Sequence, residues 1–118
     1  MGCISLESII IPEEVTEIGE GTFADCYSLK SITIPQGVTE IGMYAFDYCI
    51  SLKSINVNTE NIYYSTENGV LFNKNKTKII KYPEGRSDLS EYNIPQGVTE
   101  IGEGAFSGCN ALKSITIR

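Results

Sequence analysis

A unit of 23 residues recurs along this 118-residue chain and constrains its fold more than any other property. Pro12 to Ile34 reads PEEVTEIGEGTFADCYSLKSITI, Pro35 to Val57 reads PQGVTEIGMYAFDYCISLKSINV, and Pro95 to Ile117 reads PQGVTEIGEGAFSGCNALKSITI. The first and third agree at 16 of 23 positions, so chance is no explanation. Residues 1–11 carry the last part of a further unit, and residues 58–94 form an enlarged, irregular one with 14 extra residues. The spacing therefore divides 1–118 into a partial repeat (1–11), three regular repeats (12–34, 35–57 and 95–117) and one irregular repeat (58–94), all in a single domain. Because the chain opens and closes in mid-repeat, it is expected to be a fragment of a longer array.

Within a unit, Leu29, Ile32 and Ile34 alternate with Ser31 and Thr33, the period of a short half-buried strand. Pro35 ends it, since proline cannot donate to a ladder. Val38 and Ile41 supply a second apolar edge, and Gly42 to Cys49 fits a short helical turn with Ala45, Phe46 and Cys49 facing inward. One unit cannot bury its apolar side alone, but stacked units can, each strand pairing in parallel with the next at about 4.8 Å. The expected fold class is an α/β repeat solenoid, predominantly β, built of 23-residue coils with one parallel sheet, short helical turns and one inserted β-hairpin. That hairpin is placed at Gly69–Phe72 and Lys78–Pro83 around a polar five-residue turn, projecting from the stack or capping its side.

Composition removes several functions. Nine Lys and Arg against 15 Asp and Glu give a net charge of −6, which argues against a nucleic-acid partner. No run approaches the roughly 18 apolar residues that span a bilayer, so no membrane insertion is expected, and the N-terminus lacks the charged start of a signal peptide. Histidine is absent, which excludes histidine triads and histidine metal sites.

The pattern I-G-x-x-A-F-x-x-C-x-x-L-x-x-I-x-I, present from Ile101-Gly102 to Ile117, resembles the BspA-like leucine-rich repeat family. The block Tyr64–Lys74 with Ile80-Lys81-Tyr82-Pro83 is similar to the longer unit that interrupts such arrays. The resemblance covers essentially the whole chain. It implies a curved, right-handed, β-rich superhelix belonging to a bacterial or protozoan surface protein that adheres to host or matrix proteins, at the cell surface or secreted.

Each recurrent residue type has a structural and a functional interpretation. Cys3, Cys26, Cys49 and Cys109 share one phase and are expected to form a column of buried, inert thiols. Disulfides between coils and a zinc site are the alternatives, disfavoured by side-chain geometry and by the lack of CxxC or histidine. Glu17, Glu40 and Glu100 also share a phase; a solvated Thr/Glu edge is expected, with stacked carboxylates for calcium as the alternative and Lys30, Lys53 and Lys113 offsetting the repulsion. The Gly19/Gly21 and Gly102/Gly104 pairs lack phosphate-loop spacing and suit tight corners. Lys74, Lys76, Lys78 and Lys81 make the hairpin basic, as a solvated edge guard or as a contact for an acidic partner. Asn75-Lys76-Thr77 is a formal glycosylation sequon.

The outward strand positions Ser8, Ile10, Ser31, Thr33, Ser54, Asn56, Glu91, Asn93, Ser114 and Thr116 are expected to line one exposed sheet face, a candidate partner-binding surface. It lacks the aromatic and arginine anchors of strong interfaces, whereas Tyr44, Tyr48, Tyr63 and Tyr64 supply aromatic groups near the turns and the insertion. No catalytic set, cofactor site or metal site is expected. Carboxylate pairs such as Glu20/Asp25 and Glu40/Asp47 are plentiful, but nothing in the sequence desolvates them. The chain thus reads as a protein-interaction module, or else as a spacer that presents another domain. End-to-end self-association through the terminal strands is expected to accompany either role.

Overall fold

The computed structural model describes residues 7–42, 44–86, 91–109 and 114–117. Its strands, in chain order, are β1 (Ser8–Ile10), β2 (Glu17–Ile18), β3 (Ser31–Ile34), β4 (Glu40–Ile41), β5 (Ser54–Val57), β6 (Tyr64–Glu67), β7 (Val70–Asn73), β8 (Lys78–Lys81), β9 (Glu91–Ile94), β10 (Glu100–Ile101) and β11 (Ser114–Ile117). The repeat becomes register directly. Ser8 faces Ser31 and Ser31 faces Ser54, while Ile9, Ile32 and Ile55 line up beside them, so β1, β3 and β5 pair in parallel 23 residues apart. β2–β4 and β9–β11 are parallel as well. Alternation sets the facing: Ile32 and Ile34 are buried, Thr33 is exposed and Ser31 lies between.

Three expectations are corrected. First, the fold is β and turn rather than α/β: among the described residues there is no helix. Tyr44 and Tyr48 have φ of 62° and 60°, in the left-handed region that a right-handed helix cannot accommodate, and Gly21, Asp25, Gly104 and Gly108 have positive φ at the matching phases. Ala45, Phe46 and Cys49 nevertheless face inward, as their spacing required.

Second, the parallel strands do not form one sheet. The β1-β3-β5 sheet stops at β5, and β9–β11 forms a separate pair. The tip of the β6–β7 turn takes the next place: the Ile55 N–H donates to the Gly69 carbonyl at 2.9 Å. Gly69 has φ +82°, and a Cβ there would lie 2.9 Å from the Ser54 Cβ, so both the turn and the close approach call for glycine.

Third, the hairpin is a three-stranded antiparallel meander, β6-β7-β8, and it is woven into the stack rather than projecting from it. β8 continues into a parallel pair with β10, placing Lys78 beside Glu100 and Ile79 beside Ile101. Asn73 closes the β7–β8 turn, its Oδ1 accepting from the Thr77 and Lys78 N–H groups.

The core is correspondingly double. One cluster contains Ile18, Cys26, Leu29, Ile32, Ile34, Val38, Ala45, Phe46, Cys49, Leu52, Ile55 and Leu71. The other contains Val70, Phe72, Ile79, Tyr82 and Ala105, with Tyr92, Val98, Phe106 and Cys109 packed against it. β7 alternates between them, giving Leu71 to the first and Val70 and Phe72 to the second. A strand buried on both faces reads as an unbroken apolar run, and Val70-Leu71-Phe72 is one.

Candidate functional site

The expected sheet face is divided in two. Ser31, Thr33, Ser54 and Asn56 share one patch, with Thr33 beside Asn56 and both exposed. Glu91 and Asn93 are exposed on β9, where their backbones pair with Ser114 and Thr116, whose side chains lie outside the described residues. The turn tip 67–70 interrupts the face, holding Ile55 through Gly69 and accepting a 2.7 Å hydrogen bond at the Asn68 carbonyl from Arg86. The side chains of the first patch are small and polar, and Ile10 beside Thr33 is its apolar exception, 92% exposed.

Of the cysteine column, Cys26 and Cys49 are fully buried thiols not joined in a disulfide and Cys109 is half-buried; Cys3 lies outside the described residues. The Cys49 thiol donates to the Phe23 carbonyl at 3.0 Å and Cys109 to the Tyr82 carbonyl at 3.5 Å, the same step between successive coils. Burial pushes the Cys49 thiol up to about 12 and Cys109 to about 11, so both stay protonated and inert at neutral pH. The glutamate column exists only at Glu17 and Glu40, which are cross-strand neighbours. At the next rung Lys78 takes the phase and pairs with Glu100 at 3.5 Å, so no column of three carboxylates forms. The basic hairpin is likewise not a uniform solvated edge: Lys81 is buried.

Lys81 marks the site that the periodic sequence conceals. Phe23 and Tyr82 are equivalent, each donating its N–H at 2.8 Å to an alanine carbonyl of the following coil, Ala45 and Ala105. Phe23 lies five positions after Ile18, but Tyr82 only three after Ile79. The irregular coil therefore runs straight where the others bulge through a Gly-x-x turn. Just past Tyr82, two backbone groups flank the irregular coil, the Tyr48 N–H on the coil before it and the Ser107 carbonyl on the coil after it. In the regular stack such groups meet backbone, as where Asp25 N–H donates to the Asp47 carbonyl at 2.9 Å. Here side chains replace that backbone. Glu84 Oε2 accepts from Tyr48 N–H at 2.9 Å, and Lys81 Nζ donates to the Ser107 carbonyl at 3.4 Å and the Gly104 carbonyl at 3.5 Å. Lys81 and Glu84 join at 3.0 Å, each almost wholly buried, which provides the pairing a buried charge requires. Gly108 belongs to the device, since a Cβ there would collide with the Glu84 carboxylate.

Outside this ion pair the omitted turn leaves an open cleft of about 440 Å³ between Gly42 and Tyr44–Asp47 on one side and β8, β10 and Gly102–Gly104 on the other. Its apolar surface comes from Phe46, Ile80 and Ile101, and its polar surface from Tyr44, Tyr64, Lys78 and three carboxylates. Tyr44 bridges it, donating its hydroxyl to Glu103 Oε2 at 3.0 Å, and that bond holds the phenol above its usual range. Burial raises Tyr64, whose hydroxyl accepts from the Ile41 N–H at 3.0 Å.

Of the four tyrosines singled out from sequence, Tyr44 and Tyr64 line this cleft, while Tyr48 and Tyr63 are exposed outside it. The sequence reading places Lys81 in the basic hairpin but does not show its burial, and it names neither Glu84 nor the cleft. The available signal was the two-residue deficit between Ile79 and Tyr82, visible once Thr77-Lys78-Ile79 is aligned with Thr16-Glu17-Ile18. Among the carboxylate pairs considered and set aside for acid–base work, Glu20 and Glu40 are exposed and Asp25 and Asp47 half-buried.

Parallel strands at a fixed step, inward leucines and isoleucines and a thiol column define a leucine-rich repeat protein. The model for the BspA type leucine rich repeat region matches residues 1–92 and 77–118 in six copies, and the chain belongs to that family. No curated protein matches it. Among solved structures, a leucine-rich repeat protein from Eubacterium ventriosum is 31% identical with a TM-score of 0.81, over 92% of this chain and 31% of that one. The pneumococcal vaccine antigen PcpA is 27% identical with a TM-score of 0.78, over 96% and 34% of the two chains. A leucine rich cell surface protein from Faecalibacterium prausnitzii is 29% identical with a TM-score of 0.65, over 97% and 42%. The chain thus spans between 31% and 42% of the length of these relatives.

Proposed function

We propose that this chain is a non-catalytic protein–protein interaction module of an adhesin-like protein displayed at the cell surface. The observation that carries this reading is the cleft opened by the irregular repeat, with the partly exposed Tyr44 across it and Tyr48 nearby. Aromatic groups at a concave break in a rigid stack are the kind of anchor that interfaces use. The surface location is supported by relatives described as a vaccine antigen and as a cell surface protein. The superhelix is proposed to be right-handed and built of 23-residue coils, as the family resemblance implies.

The test is an array of extracellular-matrix and host cell-surface proteins probed with the purified chain and with the Tyr44→Ser/Tyr48→Ser double variant. Binding by the parent chain that the variant loses supports the reading; no binding by either overturns it. Protease shaving of intact source cells tests location, and release of peptides from this region is expected. The second reading, a spacer that presents another domain, is favoured by the Ser/Thr/Asn patch, which offers no aromatic or arginine anchor. It predicts that a different domain of the parent protein retains all of the parent's binding when these residues are replaced by an unrelated repeat stack.

A further inference from the structure

We infer that the cleft receives an extended peptide strand bearing a lysine or arginine, which pairs with the open edge of β4. This inference rests on the interaction-module reading and specifies its partner. Along the stack, the edges of β2 and β8 that face the next coil are occupied. Thr16 and Ile18 carbonyls accept from Thr39 and Gly42 N–H at 2.8 and 2.6 Å, and Thr77 and Ile79 carbonyls accept from Thr99 and Gly102 N–H at 2.7 and 2.8 Å. β4 departs from this pattern. Its Ile41 N–H is taken by the Tyr64 hydroxyl, and among the described residues no backbone N–H reaches the Thr39 or Ile41 carbonyl. A strand edge with vacant acceptors is what an added strand uses. The Tyr64 hydroxyl, which accepts from Ile41, can also donate its own proton to a carbonyl of the incoming chain.

The rest of the cleft selects the side chain. Asp47, Glu100 and Glu103 bring three carboxylates to it. Lys78 is matched by Glu100, and Lys81 is buried against Glu84, so the surplus charge is negative. A cation entering beside Glu103 and Asp47 meets complementary charge, whereas an acidic residue meets repulsion. Ile80, Phe46 and Ile101, the last 48% exposed, offer the apolar wall against which a neighbouring aliphatic residue packs. The volume of about 440 Å³ lies in the range of roughly 300–1,000 Å³ usual for ligand sites.

The experiment titrates the isotopically labelled chain with short capped peptides of alternating valine and threonine whose central residue is lysine, glutamine or glutamate, read by amide chemical shifts. The lysine peptide is expected to shift the amides of Ile41, Gly42 and Ile101–Gly104, and the glutamate peptide to leave them in place. Methylating the backbone nitrogen next to the lysine should abolish binding, which side-chain charge alone would not predict. Glu103→Gln should weaken the lysine peptide by roughly fivefold, and Ile101→Lys, at a half-exposed position that tolerates charge, should eliminate it. Equal shifts from all three peptides, shifts mapping to β3 and β5, or the same shifts from calcium chloride alone would overturn the inference. Those outcomes would leave the module reading standing, because that reading fails only when the protein array yields no partner.

Discussion

Tyr44 and Tyr48 are the least economical residues in the chain. The other repeats place Gly21 and Gly104 at the first of these phases, and Asp25 and Gly108 at the second, all with positive φ. A bulky side chain held in that region costs about 1–2 kcal/mol relative to glycine, offset in part by the roughly 0.5–1 kcal/mol that glycine's looser unfolded state costs. Tyr48→Gly is therefore expected to raise stability by roughly 0.5–1 kcal/mol in urea titration, and to weaken partner binding in the array. A stabilised variant with undiminished binding would remove Tyr48 from the interface. The thiols make a second prediction at this scale. Cys49 is raised from 9.0 to about 12 by burial, so the native state keeps its proton after the unfolded state has lost it. Stability is thus full below pH 9 and falls as pH climbs toward 12, by about 1.4 kcal/mol per unit for this group. Urea midpoints measured across that window should show the slope, and Cys49→Ala should make it shallower, leaving the part that the raised Cys109 and Tyr92 contribute. Residues like Cys49 were legible beforehand because recurrence at one phase fixes facing. Left-handed φ was not legible at Tyr44 and Tyr48, where the residue type conceals the conformation that glycine declares elsewhere.

Regular strands follow from alternation, and their register follows from identity between neighbouring units, which is why β3 and β5 were readable to the residue. β6 was not, since Tyr64-Ser65-Thr66-Glu67 has no apolar alternation and is held by its partner β7. Nor was the buried Asn61, which stands where Val38 stands one coil earlier. Its Nδ2 donates to the Pro35 and Val38 carbonyls at 2.9 and 3.0 Å, and its Oδ1 accepts from Tyr63 and Tyr64 N–H. That side chain anchors the entrance to the insertion, so Asn61→Leu should strand several buried polar groups at a cost of about 3 kcal/mol or more. The Lys81–Glu84 pair does the same beside the irregular coil. Lys81→Met leaves a buried carboxylate without its cation and is expected to cost about 3–5 kcal/mol. The paired replacement Lys81→Met/Glu84→Gln, which removes both charges but keeps an acceptor for Tyr48 N–H, should recover much of that loss. Denaturant titration of the single and double variants checks both; a double variant no better than Lys81→Met would show that charge pairing is not what the site requires.

At the scale of the whole molecule, a uniform stack would share one core from end to end, but the irregular repeat partitions this one. Among the described residues, β7 is the only element that contributes fully buried side chains to both clusters, Leu71 to the first and Val70 and Phe72 to the second. The second cluster is rich in aromatic contact, with Tyr82 packed edge-on to Tyr92 at 4.9 Å and against Phe106 at 5.7 Å. The first carries the parallel Phe23–Phe46 stack at 5.8 Å and the longer strand ladder. Repeat proteins hold together through nearest-neighbour interfaces, and here β7 carries the buried apolar link between the halves, with Ile80 of β8 and the Glu84–Tyr48 and Tyr44–Glu103 hydrogen bonds beside it. Phe72→Ala removes a fully buried ring from the second cluster, a loss of about 3–5 kcal/mol. If β7 is the coupling element, that loss is not distributed evenly. Native-state hydrogen exchange should show the amides of β9 and β10 losing most of their protection, while Ile32 and Ile34 in β3 keep theirs. Leu71→Ala should give the reverse pattern, although the two residues are adjacent in sequence. Equal loss of protection in both halves for both variants would mean that the two clusters unfold as one unit and that the partition is geometric only.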